Sequence, residues 1–226
     1  MNSKVGYDGF PANPRQAHNY SQQPSYSQPQ QPPPAQSYPC GLEVAFTSWS
    51  GRHLRVTENT REGPLVYAAD LKSHRPHMRF QAQGTANLPA TVTFHSFSRR
   101  VDITINGHEL PMHSERMLKH AYGFDSRALG GKHLVWKRSM SWVSIKLHCV
   151  DSSGTEYATF SSHRSLSGKR AGRLEILQPA AAGGKAATDE LVVTGLANLS
   201  MVLRQNSAAA AGAGGAAAGG GGGGGC

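Results

Sequence analysis

The sequence predicts a mainly β domain, an antiparallel sandwich or barrel of many short strands, closed by one hydrophobic helix towards its C-terminus. Three observations carry that reading. Between Cys40 and Gln178 the chain falls into short runs of alternating apolar and polar residues separated by turn residues, which is the period of half-buried strands. No strand–helix–strand alternation of the kind that builds parallel α/β sheets occurs. From Thr188 to Arg204 the pattern changes once, into a segment whose apolar residues fall nearly all round a helical axis, as expected of a helix surrounded by protein.

The elements follow in chain order. Residues 1–39 are Pro, Gln, Ser and Tyr with no aliphatic run. Such a leader cannot offset the entropy of being ordered and is expected to be disordered. Tyr7, Tyr20, Tyr26 and Tyr38 recur among its prolines, and Pro29-Gln30-Gln31-Pro32 suits an extended polyproline helix docked on an SH3- or WW-like protein partner. A plain solubilising spacer has the same composition.

Strands are predicted at Leu42–Thr47, His53–Thr57, Leu65–Leu71, Met78–Gln83 and Ala90–Phe97. Val101, Ile103 and Ile105 alternate with Asp102, Thr104 and Asn106, and Asn106-Gly107 then offers a hairpin turn. Further strands are read at His133–Arg138, Val143–Val150, Thr155–Ser161 and Arg173–Gln178, with Val150–Thr155 as the turn between two of them. Ser50-Gly51, Glu62-Gly63-Pro64 and Gly130-Gly131 punctuate the series. So many short strands suit a sandwich or a barrel.

After a flexible stretch at Ala180–Ala187, Thr188 reads as the helix N-cap, with Asp189 and Glu190 at the positive end and Arg204 at the negative one. At about 1.5 Å per residue the helix would run about 25 Å, enough to thread a small barrel. The alternative is a helix laid over one end of a sandwich. Residues 207–226, Ala and Gly ending in Cys226, read as a disordered tail. One domain, residues 40–206, is the economical partition.

The formal charge is +9, from 23 Lys and Arg against 14 Asp and Glu. The leader supplies only Lys4, Arg15 and Asp8, so the excess belongs to the domain. Such a surface favours polyanions: lipid head groups, nucleic acid or acidic proteins. Cys40, Cys149 and Cys226 are too few and too widely spaced for a disulfide framework or a zinc site. No apolar leader marks a signal peptide, no run of about 18 apolar residues spans a bilayer, and neither Asn2 nor Cys226 suits a lipid anchor. The expectation is a cytoplasmic protein, at most peripheral to membranes.

Catalytic signatures are missing: there is no GxSxG, HExxH or GxxxxGK[ST] run. The reading is a protein that is not an enzyme and takes no cofactor. His74 and His77 are spaced as a metal pair would be, but Pro76 opposes the helical turn that would align them. The remaining feature is the basic pairs Arg99-Arg100, Lys137-Arg138 and Lys169-Arg170, joined by Arg164 and Arg173. Brought together they would offer a phosphate charge-assisted hydrogen bonds. Adjacent residues on a strand face opposite ways, so one of each pair joins a given patch unless the pair lies in a loop. Dispersed, they are solvated surface charge. Trp49, Trp136 and Trp142 read as stacking platforms, membrane-edge anchors or core.

The C-terminal segment Leu191-Val192-Val193-Thr194-Gly195-Leu196 gives these features a family likeness. Together with Leu42–Val56 and its Ser50-Gly51 turn, Gly63-Pro64-Leu65-Val66-Tyr67, and the hairpin Asp151–Ala158, it resembles the tubby C-terminal-like superfamily, nearest the LURP-one-related proteins and phospholipid scramblases. The likeness covers Leu42–Arg204. It implies a closed barrel of about twelve antiparallel strands around a central hydrophobic helix, used by some members to hold phosphoinositides. The Pro/Gln/Tyr leader is similar to that of the scramblases, but their cysteine cluster is absent and no acidic calcium-binding loop follows the helix. The expected function is a non-enzymatic module for anionic phospholipid at membrane surfaces, with Arg99, Arg100, Lys137, Arg138, Arg164, Lys169 and Arg170 as head-group ligands. The alternatives are a nucleic-acid-binding or transcription-linked protein and an adaptor acting through its leader.

Overall fold

The structure, a computed structural model, describes residues 40–47, 51–82, 88–95, 100–115, 121–139, 144–163 and 170–214, the side chains of 82, 170 and 207–214 excepted. The leader with its tyrosines and prolines, residues 215–226, Trp49 and Trp142 lie outside them.

Thirteen strands form one sheet. In chain order they are β1 Cys40–Phe46, β2 His53–Glu58, β3 Leu65–Leu71, β4 Met78–Ala82, β5 Ala90–Phe94, β6 Arg100–Ile105, β7 His108–Glu109, β8 Met112–Ser114, β9 Tyr122–Ser126, β10 Lys132–Ser139, β11 Lys146–Asp151, β12 Glu156–Ser162 and β13 Arg170–Ile176. Every pairing is antiparallel, and β1 pairs with β13 while β5 pairs with β6, so the sheet closes on itself. The ring has twelve strands, since β7 is a two-residue return hairpin on β6. Asn106 and Gly107 make that hairpin with φ of 51° and 79°, the paired left-handed turn the dipeptide favours. Closure leaves the ring no free edge to template aggregation.

The pleat sets what lies inside. Val101, Ile103 and Ile105 on β6, Leu134 and Trp136 on β10, and Leu147 and Cys149 on β11 are buried, with polar residues alternating outward. Their core is α1, Gly184–Gly214, which follows a 3-10 turn at Gln178–Gly183. Leu191, Val192, Val193, Leu196, Ala197, Leu199 and Val202 are each at most 3 % exposed. Those residues point in every direction around the helix, so the sandwich alternative is excluded.

Trp136 is core rather than a platform. Its indole N–H donates to Thr194 Oγ1 at 3.0 Å, and the Thr194 hydroxyl donates to the Glu190 carbonyl at 2.7 Å. A methyl group on Gly195 would sit 2.9 Å from the indole Cζ2, so only glycine lets the ring lie this close to the helix.

The helix boundaries differ from expectation. Thr188 is no N-cap: it lies inside α1, its hydroxyl donating to the Gly184 carbonyl at 3.3 Å. The stretch 180–187 is 3-10 and α-helix rather than a flexible linker, because the 3-10 turn off β13 has already nucleated the helix and propagation needs little more. The same logic carries it past Arg204 to Gly214 through the alanines, the best helix formers.

Candidate functional site

Antiparallel strands place their connections alternately at two mouths. The β13 strand ends at the near mouth, where α1 goes in, and the helix runs towards the far mouth. At the far mouth lie the β3–β4 connection, the ends of β1, β5, β8, β10 and β12 and the starts of β2, β6, β9, β11 and β13.

The far mouth gathers cations. The Arg204 guanidinium lies 4.7 Å over the Phe94 ring at the end of β5 and donates to the Lys72 carbonyl at 3.4 Å. The His77 ring meets Phe94 at 5.5 Å between centroids, and the Phe94 backbone N–H donates to His77 Nδ1 at 3.1 Å. That bond makes Nδ1 an acceptor and so holds His77 neutral. Burial lowers the His77 pKa, and the charges of Arg204, Arg75, His95 and His74 push it further the same way. Arg204 is lowered as well, by burial. Basic groups are crowded on one spot, and the β3–β4 connection, residues 72–77, supplies four of them: Lys72, His74, Arg75 and His77.

A carboxylate, Asp102, stands nearby. It takes His95 Nε2 at 2.6 Å and Arg100 Nε at 2.5 Å. Burial acts to raise its pKa, but the hydrogen bonds from His95 and Arg100 prevail and the net shift is down. Among the described residues no ion pair joins Lys72, His74, Arg75, His77 or Arg204 to an acid.

Of the residues expected to bind a head group, four lie on strands in their far-mouth halves. Arg100 begins β6, exposed, with its charge matched by Asp102. Lys137 is exposed on the outer wall of β10, whereas Arg138 shares the pleat face of Leu134 and Trp136 and is half-buried. Arg170 begins β13, but its side chain is not described; Arg99, Arg164 and Lys169 lie outside the described residues. The cluster round His77 was not among the expected ligands. Part of its signal was present between Lys72 and His77, where the sequence offers His74 and His77 only as a poor metal pair. Phe94 and Arg204 complete it from far along the chain. Among the described residues no three His, Cys, Asp or Glu side chains converge as metal ligands would.

At the near mouth acids do the fastening. Asp189, 5 % exposed, accepts from the Tyr67 hydroxyl at 2.7 Å and from Lys185 Nζ at 2.9 Å. Glu190, 8 % exposed, accepts from the Ser126 hydroxyl at 2.5 Å and the Ala128 N–H at 3.1 Å. In the β11–β12 hairpin Asp151 is held down at a pKa of about 2, chiefly by the Ser153 hydroxyl, with the Thr155 and Ser153 N–H groups and Lys132 adding to it.

No protein-family model, no curated protein and no solved structure matches the chain.

Proposed function

We propose that the protein is a non-enzymatic binding module of the tubby C-terminal-like kind, which holds the phosphorylated head group of an anionic phospholipid, a phosphoinositide, at its far mouth. The carrying observation is the crowd of cations around His77 and Arg204, to which no described acid is ion-paired. Bringing these charges together without a counter-charge is unfavourable, and a bound phosphate removes the penalty through charge-assisted hydrogen bonds. Arg138 and Arg100 lie on strands that end or begin at the same mouth, Arg100 with its charge matched by Asp102. A closed barrel around a hydrophobic helix is also the architecture the family likeness implies, which favours that family over an unrelated basic domain.

Flotation with vesicles of neutral lipid, with and without phosphoinositide, tests the reading. The protein is expected to float only with the phosphoinositide. Arg75→Glu, at an exposed loop position, should weaken binding severalfold, since a basic group at an anionic surface contributes about 1 kcal/mol. Indifference to phosphoinositide at low salt overturns the proposal. Retention of an oligonucleotide instead, with a steep salt dependence, assigns the patch to nucleic acid.

A further inference from the structure

The near mouth carries a second candidate site of the opposite sign. The β6–β7 hairpin, the β9–β10 turn and the first turns of α1 line an open cavity of about 610 Å³, a size that suits a small organic ligand. Ile105, Leu110, Ala128 and Ala186 supply apolar wall, and Asp189 and Glu190 lie at its floor. The rim adds Arg127 and Glu109, one charge of each sign, beside His108 and Asn106.

The floor is not neutral. Lys185 is ion-paired with Asp189 at 2.9 Å. Glu190 receives only neutral donors, the Ser126 hydroxyl and the Ala128 N–H, and no described cation is ion-paired with it. A carboxylate more than nine-tenths buried is costly without a positive partner. The helix dipole does not supply one, because its field fades within the first turn and Glu190 lies in the second turn after Gly184.

We propose that this cavity binds a small organic ammonium ion. The ammonium group would donate to the Glu190 carboxylate, and its hydrocarbon body would pack on Ile105, Leu110 and Ala186. An ammonium carries three donors and no acceptor, which fits the free lone pairs of a carboxylate already holding two neutral bonds. The site is independent of the phosphoinositide reading, at the other mouth and for the other sign of charge, so either can fail alone.

The test is an amide NMR titration of the full chain with cyclohexylammonium, run beside cyclohexanol and cyclohexanecarboxylate at one ionic strength. Saturable shifts are expected at Arg127, Ala128 and residues 185–190. The ammonium should bind at least about tenfold more tightly than the alcohol, the effect of one charge-assisted bond. Glu190→Gln should erase that preference. Ala186→Phe, at an exposed helix position, should fill the cavity and abolish the saturable shifts while the rest of the spectrum stays native. Absence of saturable shifts with the ammonium, equal binding of all three compounds, or unchanged binding by Ala186→Phe overturns the proposal. Should Glu190→Gln fail to fold, the alcohol comparison and Ala186→Phe decide it.

Discussion

At the near mouth α1 is tied to the barrel wall by its own acids, Asp189 to Tyr67 on β3 and Glu190 to Ser126 on β9, each bond buried. At the far mouth Arg204 lies over Phe94 and donates to the Lys72 carbonyl, among basic groups that crowd one another. The two ends hold the helix at different cost. Buried, partnered groups hold a structure together. Exposed like charges weaken it slightly and are retained where something else gains from them. The near mouth is where the fold is fixed, and the far mouth is where binding is proposed.

The largest effect belongs to what the two mouths share. Leu196 is 1 % exposed midway along the helix, so Leu196→Asp buries a carboxylate with no partner. That cost rivals the ~5–15 kcal/mol holding a whole domain, and the variant is expected to be insoluble or unfolded by circular dichroism. A soluble variant with native melting would mean that neither mouth depends on the helix as core. Next comes the contrast itself. Glu190→Ala leaves the Ser126 hydroxyl and the Ala128 N–H without an acceptor, at about 1–3 kcal/mol each. Arg75→Ala, exposed at the far mouth, should change stability by under about 0.5 kcal/mol. Urea titration of the two variants breaks the comparison if their costs are equal.

How far this was legible depends on sequence distance. The β11–β12 hairpin is local, and the Asp151–Gly154 turn announces it. The all-round apolar face of Leu191–Leu203 likewise placed a helix inside protein, because burial on every side leaves a pattern in one segment. Strands β8 and β9 went unseen. Met112–Ser114 is too short for a period, and Gly123 and Asp125 dilute the strand propensity of Tyr122 and Phe124. Gly123 has its reason in three dimensions: a side chain there would strike Glu115 and His133, which meet across β9 at 3.2 Å. Of the His77 cluster only the local part, residues 72–77, was legible, because Lys72 and Arg204 stand 132 residues apart and only the helix inside the barrel unites them.

Acid should separate the mouths in order. His77 has a pKa lowered from 6.5, so its neutral form lends stability that is whole above pH 6.5 and declines as pH falls towards the lowered value. A phosphate beside it would raise that pKa, so binding takes up a proton and phosphoinositide affinity should rise severalfold on going from about pH 7.5 to about pH 5.5. His77→Asn should flatten much of that response, and an unchanged response would remove His77 from the site. Asp151 behaves oppositely. Its pKa is depressed from 3.8 to about 2, so its contribution is complete above 3.8 and is lost only as pH falls towards 2. Amide exchange in the β11–β12 hairpin should therefore be indifferent to the acidification that alters the far mouth.

The smallest effect tests whether the two halves of α1 differ inside the barrel as they do at its mouths. Asp189, Glu190 and Thr194, in the near half, all have hydrogen-bond partners. Asn198, one turn further on and 1 % exposed, has none among the described residues for either its side-chain nitrogen or its oxygen. A buried amide without partners costs about 1–3 kcal/mol. Leucine has nearly the same volume and a higher helix propensity, and it brings no polar atom. Asn198→Leu should therefore stabilise the protein, by about 1 kcal/mol once imperfect packing of the new methyls is allowed for. The melting temperature should rise by a few degrees, as it does for a gain of this size in a domain of about 150 residues. A fall would mean that the amide is satisfied by a buried group or solvent molecule, and that the far half of the helix is fastened as firmly as the near half. A rise with phosphoinositide binding unchanged would separate the core of the far half from its rim, leaving the cations at the mouth to carry the binding alone.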